Sequence, residues 1–484
     1  MSRTLRLLIT GGGTGGHTYP ALTTLSAVQR RQVPHDVLWV GTANGLEARI
    51  TAEHGIPFKA ITTGKLRRRP NLKELGTNIA DVFRIPVGVF QAIGHAARYL
   101  PDVVLSTGGY VAVPIGVAAK LIRRPLVMHE QTTVVGLANR ILARLATRIA
   151  LSHESSLEYL PASARAKAVV TGNPIRPELL HGDRAAAYDL FGLTFEVPLI
   201  YVTGGAQGSK QINTLVAEIL PRLLGHAQVV HQCGPAWIDQ MRAVSLPQEL
   251  ADRYHPVPYV GSELPDLYAA ADVVIARSGA GTVSELTAIG KPAVLIPLIP
   301  TGGDEQRKNA SYLVAAGAAR ALLEPHPTSE QLLGELMPLL ADPGLRLSMA
   351  QAAARLGRID AADVLADLLL ETAQFGPPGP SGHPRPPAHS AEHPQPPAHP
   401  DQHAQPQAHP GGHAQPPSYP GHAQPGPAVQ PSPRPGPPPQ PPAHPGQSSQ
   451  PHTHPGPFGQ PGQFPHPGGP GEAGQFGQPG PYGR

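Results

Sequence analysis

A single cysteine in 484 residues leaves no partner for a disulfide within the chain and no cluster of thiols for zinc. That residue, Cys233, sits in the apolar stretch Val229-Val230-His231-Gln232-Cys233, where an inert buried thiol is expected rather than a nucleophile. Long hydrophobic runs are also missing. The apolar run at residues 5–9 is too short for a signal segment, and no stretch of about 18 apolar residues follows it, so a cytoplasmic chain touching membranes from the surface is expected. Charged residues (15%) and aromatics (5%) are scarce, yet the chain has 60 Pro and 53 Gly, a combination that does not describe one uniform globule.

The imbalance has an address. Residues 375–484 hold 35 of the prolines and 12 of the 23 histidines but only three basic and three acidic side chains. Burial there cannot offset the entropy of ordering the backbone, so a disordered Pro/Gly/His/Gln-rich tail with polyproline II character is expected. Within it a ten-residue period runs through residues 381–420, with His third and Pro sixth in each block. These blocks have no apolar face with which to stack as a solenoid.

The preceding residues suit two domains of ordinary size. In the first, β-branched runs at residues 5–10, 37–40, 103–105 and 126–128 alternate with helical patterns at 20–30, 44–54 and 113–122. The alternation restarts after Gly172-Asn173-Pro174, with strands expected at 199–203, 228–230, 273–276 and 293–296. This is an α/β chain of two Rossmann-like, doubly wound domains, residues 1–172 and 173–344, facing a cleft. An Ala/Leu-rich helical stretch at 345–371 could pack back on either.

Glycine-rich turns follow the strands. Gly11-Gly12-Gly13-Thr14-Gly15-Gly16-His17 comes after the first, and such a turn can aim N–H groups and a positive helix end at an anion. Its letters fit GxGxxG, but a nicotinamide site also needs an acid at the end of the second strand, and there the chain runs into Gly41-Thr42. Similar turns occur at Ser106-Thr107-Gly108-Gly109-Tyr110 and Gly204-Gly205-Ala206-Gln207-Gly208-Ser209, a set that suits more than one phosphate group. Gly12, Gly13, Gly108 and Gly109 are the candidates to hold such a group.

In Arg277-Ser278-Gly279-Ala280-Gly281-Thr282-Val283-Ser284-Glu285, small residues open a helix and a carboxylate follows. Glu285 could accept hydrogen bonds from both hydroxyls of a nucleotide ribose. Equally, Thr282 and Glu285 have the spacing of a capping box. Gln306, in Asp304-Glu305-Gln306-Arg307-Lys308-Asn309, carries a donor and an acceptor suited to sugar hydroxyls. No Asp-x-Asp pair lies near these turns, so no cofactor and no metal bound by protein carboxylates is expected.

Residues 65–84 differ in kind. Lys65, Arg67, Arg68, Arg69, Lys73 and Arg84 oppose only Glu74 and Asp81, an excess of +4 equal to that of the whole chain. Leu72, Leu75, Ile79 and Phe83 recur at helical spacing, which fits a patch for an anionic membrane. A core-facing helix beside a basic loop is the alternative. No aromatic residues interleave with the arginines, which argues against nucleic acid.

Taken in order over residues 4–370, these motifs, with His129-Glu130-Gln131 and Gly172-Asn173-Pro174-Ile175-Arg176, resemble the MurG-type UDP-N-acetylglucosamine:undecaprenyl-pyrophosphoryl-muramoyl-pentapeptide N-acetylglucosaminyltransferases. The resemblance implies a GT-B fold, with UDP-N-acetylglucosamine held mainly by the second domain and the lipid-linked acceptor by the first. It implies that Glu285 binds ribose, that Ala280, Gly281, Thr282, Val283 and Ser284 face the nucleotide, and that Gln306 touches the sugar. Arg176 would lie beside the donor at the hinge, backbone near Val260 would read uracil, and Thr14, Gly15 and Gly16 would bind the donor and meet the reacting sugars and acceptor phosphates, with the acceptor pyrophosphate on Gly12, Gly13, Gly108 and Gly109. The acceptor 4-hydroxyl would attack with inversion, His17 being the expected base. The implied setting is the cytoplasmic face of the cell membrane, with the cell-wall synthesis machinery as partner. Two positions depart from the pattern: Thr132 replaces the usual Asn and Ala206 the usual Ser. The rival readings are a UDP-N-acetylglucosamine 2-epimerase and a non-catalytic scaffold that binds UDP-sugar.

Overall fold

The computed structural model describes residues 3–64, 72–299 and 304–374, with residues 72–83 in backbone only. Its first sheet comprises β1 (Leu5–Thr10), β2 (His35–Gly41), β3 (Phe58–Ala60), β4 (Val103–Ser106), β5 (Leu126–Glu130), β6 (Arg148–Leu151) and β7 (Ala168–Val170). The second comprises β8 (Leu199–Thr203), β9 (Gln228–Gln232), β10 (Tyr254–Val257), β11 (Val273–Ala276), β12 (Ala293–Leu295) and β13 (Arg320–Ala321). All pairs are parallel, in the orders β3-β2-β1-β4-β5-β6-β7 and β10-β9-β8-β11-β12-β13. Central strands such as β4, β5, β8 and β11 are buried along their whole length, as parallel strands covered on both faces must be.

Helices α1 (Gly15–Arg30), α2 (Leu46–Glu53), α3 (Leu72–Tyr99), α4 (Ala112–Leu121), α5 (Leu137–Leu145) and α6 (Ala162–Arg165) belong to the first half. The second contains α7 (Arg184–Phe191), α8 (Lys210–Leu223), α9 (Ile238–Arg242), α10 (Gln248–Ala251), α11 (Leu264–Ala270), α12 (Ala280–Ala288), α13 (Glu305–Ala315), α14 (Ser329–Ala341) and α15 (Pro343–Leu356). Last comes α16 (Ala361–Thr372). The Ala/Leu-rich stretch is thus two helices. Met349, Ala352 and Ala353 of α15 pack into the second half, whereas Leu365 and Leu369 of α16 join Leu5, Ile9, Trp39 and Val103 in the first. Arg31 beside α1 donates to Asp363 and Asp367 at 2.8 Å, fixing the return.

The chain therefore crosses between halves twice, and the crossings touch. Gly172 adopts φ +83, and a Cβ there would stand 2.7 Å from Cβ of Arg358. Backbone angle and space both require glycine at this hinge.

In each sheet the strand order reverses beside the first strand of the half, between β1 and β4 and between β8 and β11. Loops diverge at such switch points and leave a crevice beyond the strand ends. The glycine turns lie there. The first is shorter than the letters suggest, because α1 starts at Gly15 and carries Pro20 inside it, so His17 lies on a helical turn.

Candidate active site

A cleft of about 1370 Å³ is lined from both halves. The first contributes Thr14, Gly15, Gly16 and His17 at the start of α1, Gly109 and Tyr110 after β4, and Gln131 and Thr132 after β5. The second contributes residues 204–207 after β8, Arg277, Ala280, Gly281, Thr282 and Glu285 around the start of α12, and Gln306 and Asn309 on α13.

The surroundings of His17 fix its tautomer. Its Nδ1 lies 2.7 Å from the Thr107 carbonyl and 3.1 Å from Oε1 of Gln131, and a carbonyl only accepts, so Nδ1 carries the hydrogen. Nε2 has no hydrogen-bond partner among the described residues. Gln131 in turn donates through Nε2 to the Thr107 carbonyl at 2.7 Å and to Nδ1 of His129 at 3.1 Å. His129 donates from Nε2 to the Gly172 carbonyl at 3.1 Å, so one chain of hydrogen bonds joins the cleft to the hinge. Burial pushes the pKa of His129 down to about 4, which keeps this link neutral.

The first glycine turn is partly engaged within the protein. Gly13 is exposed but donates its N–H to Oε2 of Glu47 at 3.1 Å, and Gly12 and Gly108 are buried. Gly109 lines the cleft. Glu47 brings a carboxylate to the end of β2 after all, but it is fully buried and bonded to backbone, so it offers nothing to a nicotinamide ribose.

On the donor side, Glu285 forms no capping box, because α12 begins at Ala280 with Gly279 as its cap. Its carboxylate instead meets Arg176 at 3.1 Å and the Tyr268 hydroxyl at 3.4 Å. Burial pushes the Glu285 pKa up, and Arg176 opposes that shift. Val283 points into the core, and Ser284 donates to the Ala280 carbonyl at 2.8 Å while accepting from Asn173 at 3.1 Å, so neither side chain lines the cleft. Gln306 accepts from the Leu298 N–H at 3.0 Å, which leaves its NH₂ to offer. The Val260 N–H is bonded to Gln232 at 3.2 Å, which leaves its carbonyl for a base.

Arg277 is a candidate binding residue that its motif did not assign. Its guanidinium donates to Gln211, Ser209 and the Ile296 and Pro297 carbonyls, all neutral, and it has no ion pair among the described residues. Burial pulls its pKa down to about 10. A cation with neutral partners, lining a cleft at the end of a central strand, suits an anionic ligand; that strand-end position was the available signal. Asn309 was also missed: its Oδ1 accepts from the Thr133 hydroxyl at 3.1 Å across the two halves.

Of the two departures, the Thr132 hydroxyl bonds within its own loop, to Glu130 at 2.9 Å and the Val134 carbonyl at 2.6 Å. Ala206 lines the cleft. Arg67, Arg68 and Arg69 lie outside the described residues, and Lys73, Leu75, Ile79 and Phe83 fall where α3 is described in backbone only. No described helix is long and apolar enough to cross a membrane.

The glycosyltransferase family 28 N-terminal domain matches residues 7–151 and its C-terminal domain residues 199–365. The UDP-N-acetylglucosamine-N-acetylmuramyl-(pentapeptide) pyrophosphoryl-undecaprenol N-acetylglucosamine transferase of Lachnospira eligens is 37% identical over 338 residues, covering 70% of this chain and 91% of its own. The enzyme of the same name from Xylella fastidiosa is 38% identical over 369 residues, 75% of this chain and 95% of its own. The crystal structure of Acinetobacter baumannii MurG superposes with a TM-score of 0.58 at 27% identity, covering 76% of this chain and 99% of that one. A putative UDP-N-acetylglucosamine 2-epimerase from Listeria monocytogenes has a TM-score of 0.54 at 18% identity, over 78% of this chain and 99% of its own, a likeness of fold alone.

Proposed function

The chain belongs to the family of UDP-N-acetylglucosamine-N-acetylmuramyl-(pentapeptide) pyrophosphoryl-undecaprenol N-acetylglucosamine transferases, and from that premise we propose how its cleft performs the transfer. It is a UDP-N-acetylglucosamine-dependent glycosyltransferase of peptidoglycan synthesis, with undecaprenyl-pyrophosphoryl-muramoyl-pentapeptide as acceptor. One observation carries the reading: the start of α1 with His17 and the start of α12 with Glu285 open on the same cleft.

His17 is the base. Held through Nδ1, it takes the proton of the acceptor 4-hydroxyl on Nε2 while the oxygen bonds to the anomeric carbon and UDP departs from the opposite face, giving inversion. Glu285 accepts from the ribose hydroxyls, for which it must give up part of its contact with Arg176. Arg176 is then free to meet the diphosphate beside Arg277 and the first N–H groups of α12. These groups answer the charge of the leaving group, so the reading calls on no protein-bound metal and no cofactor. Gln306 contributes its NH₂ to the sugar hydroxyls.

The acceptor is a lipid, so the enzyme works as a peripheral protein on the cytoplasmic face of the membrane, with residues 67–83 as its anionic-membrane patch and the cell-wall synthesis machinery at hand. Reversing the charge at Arg67, Arg68 and Arg69 should weaken flotation with anionic vesicles and spare turnover of a soluble acceptor analogue. The reaction itself is tested with purified protein. UDP release that requires the lipid-linked muramoyl-pentapeptide supports transfer, whereas N-acetylmannosamine formation without it would point to epimerisation. Donor binding without either product would leave a scaffold.

A further inference from the structure

The buried carboxylate under the first glycine turn takes no part in the transfer as described, yet the chain is built around it. Oε1 of Glu47 accepts from the Thr42 N–H at 2.9 Å and the Thr42 hydroxyl at 2.6 Å, and Oε2 accepts from Gly13 N–H at 3.1 Å. Three backbone segments close over it without side chains. A Cβ at Gly12, Gly41 or Gly45 would lie 2.3, 2.6 or 2.3 Å from its atoms, contacts that real side chains do not make. Burial works to raise the pKa of Glu47, but the hydrogen bonds from Thr42, from its own backbone N–H and from Gly13 outweigh it and hold the carboxyl below its ordinary value.

The elements joined in this way both face the substrate cleft. Thr14 and His17 line it from the start of α1, and Leu46, Arg49 and Glu53 line it from α2, while Glu47 itself does not. An anionic acceptor phosphate placed on the Gly13 amide would displace this bond and sit against a buried negative charge, which is costly.

We propose that Glu47 is a positioning residue: its carboxylate clamps the turn before α1 to the start of α2 through the Gly13 amide, and so sets the height of His17 in the cleft. The proposal rests on the transfer reading for its kinetic consequences but not for its structural one.

The test uses full-length protein carrying Glu47→Gln, which keeps the shape of the side chain but presents an NH₂ or a weaker acceptor to Gly13. Hydrogen exchange of residues 11–17 should quicken about tenfold or more. In the transfer assay, kcat should fall roughly 10- to 100-fold, the scale of a 1 Å misplacement, while the UDP-N-acetylglucosamine Kd stays within about twofold. Unchanged exchange and unchanged kcat would overturn the clamp. A lower acceptor KM, or stronger inhibition by inorganic pyrophosphate, would also overturn it, because the freed Gly13 amide would then be an anion site that Glu47 suppresses. Loss of donor affinity in step with kcat would reduce Glu47 to a general fold-stabilising role and sink the proposal. Should Glu47→Gln fail to fold, Thr42→Val removes one of the three donors; it should lower kcat about two- to fivefold with donor affinity kept, and no change would count against the clamp. If the wild type itself shows no acceptor-dependent UDP release, the transfer reading fails while the exchange experiment still decides the clamp.

Discussion

The two halves share a strand order but use their switch points in opposite ways. In the first, the turn after β1 has one amide already bonded to a buried carboxylate, and what it presents to the cleft is an imidazole held through its Nδ1. In the second, Arg277 after β11 faces only neutral acceptors, and Arg176 is held by a carboxylate that a ribose can claim. In the proposed mechanism one half serves proton transfer and the other the departing diphosphate. A Rossmann-like crevice therefore locates a ligand without saying what it is; the charges left unmatched at the strand ends say that.

The largest expected break in this division is His17→Ala. Steady-state kinetics should show kcat lowered about 10²- to 10⁴-fold, with the UDP-N-acetylglucosamine Kd unchanged. Nearly full turnover at saturating substrates would remove His17 as the base, and an equal loss of donor affinity would erase the boundary between the halves.

Glu285→Ala should do the converse. Calorimetric titration with UDP is expected to lose about 10- to 100-fold in affinity, the scale of hydrogen bonds to a charged group, while the acceptor KM stays put. A larger effect on the acceptor than on UDP would show that Glu285 does not serve the nucleotide.

The smallest effect concerns pH. Burial holds His129 and His153 in the first half to about 4 and His231 in the second to about 3, against 6.5 for a free imidazole. Between 6.5 and 4 the unfolded chain takes up protons that the folded chain refuses, so these residues favour folding above pH 6.5 and lose that contribution as pH falls. Tm should drop by several degrees from pH 7 to 5, and His129→Asn should flatten the slope. A Tm that rose on acidification would contradict the neutral link to the hinge.

Much of this was legible in the chain, and what was not has physical reasons. Strands β1, β4, β5, β8 and β11 are apolar runs because both their faces are covered, and such runs are visible in sequence. Strands β3, β7 and β13 have two or three residues, none of them buried, at a sheet edge, too short a run to give a periodic signal. The glycine turns were visible as letters, but which of their amides were already bonded depends on Glu47, 34 residues away from Gly13. Similarly, spacing left Glu285 open between a capping box and ribose binding, and only the start of α12 at Ala280 excluded the first.

The return of α16 to the first sheet bears on the order of synthesis. Leu365 and Leu369 are fully buried against strands made more than 250 residues earlier, each worth about 1.5–3 kcal/mol. A chain emerging from the ribosome has the whole second half complete before these residues appear. The half that is made first is therefore finished last, and it must wait with one face of its sheet covered only in part, by α1, while its neighbour folds.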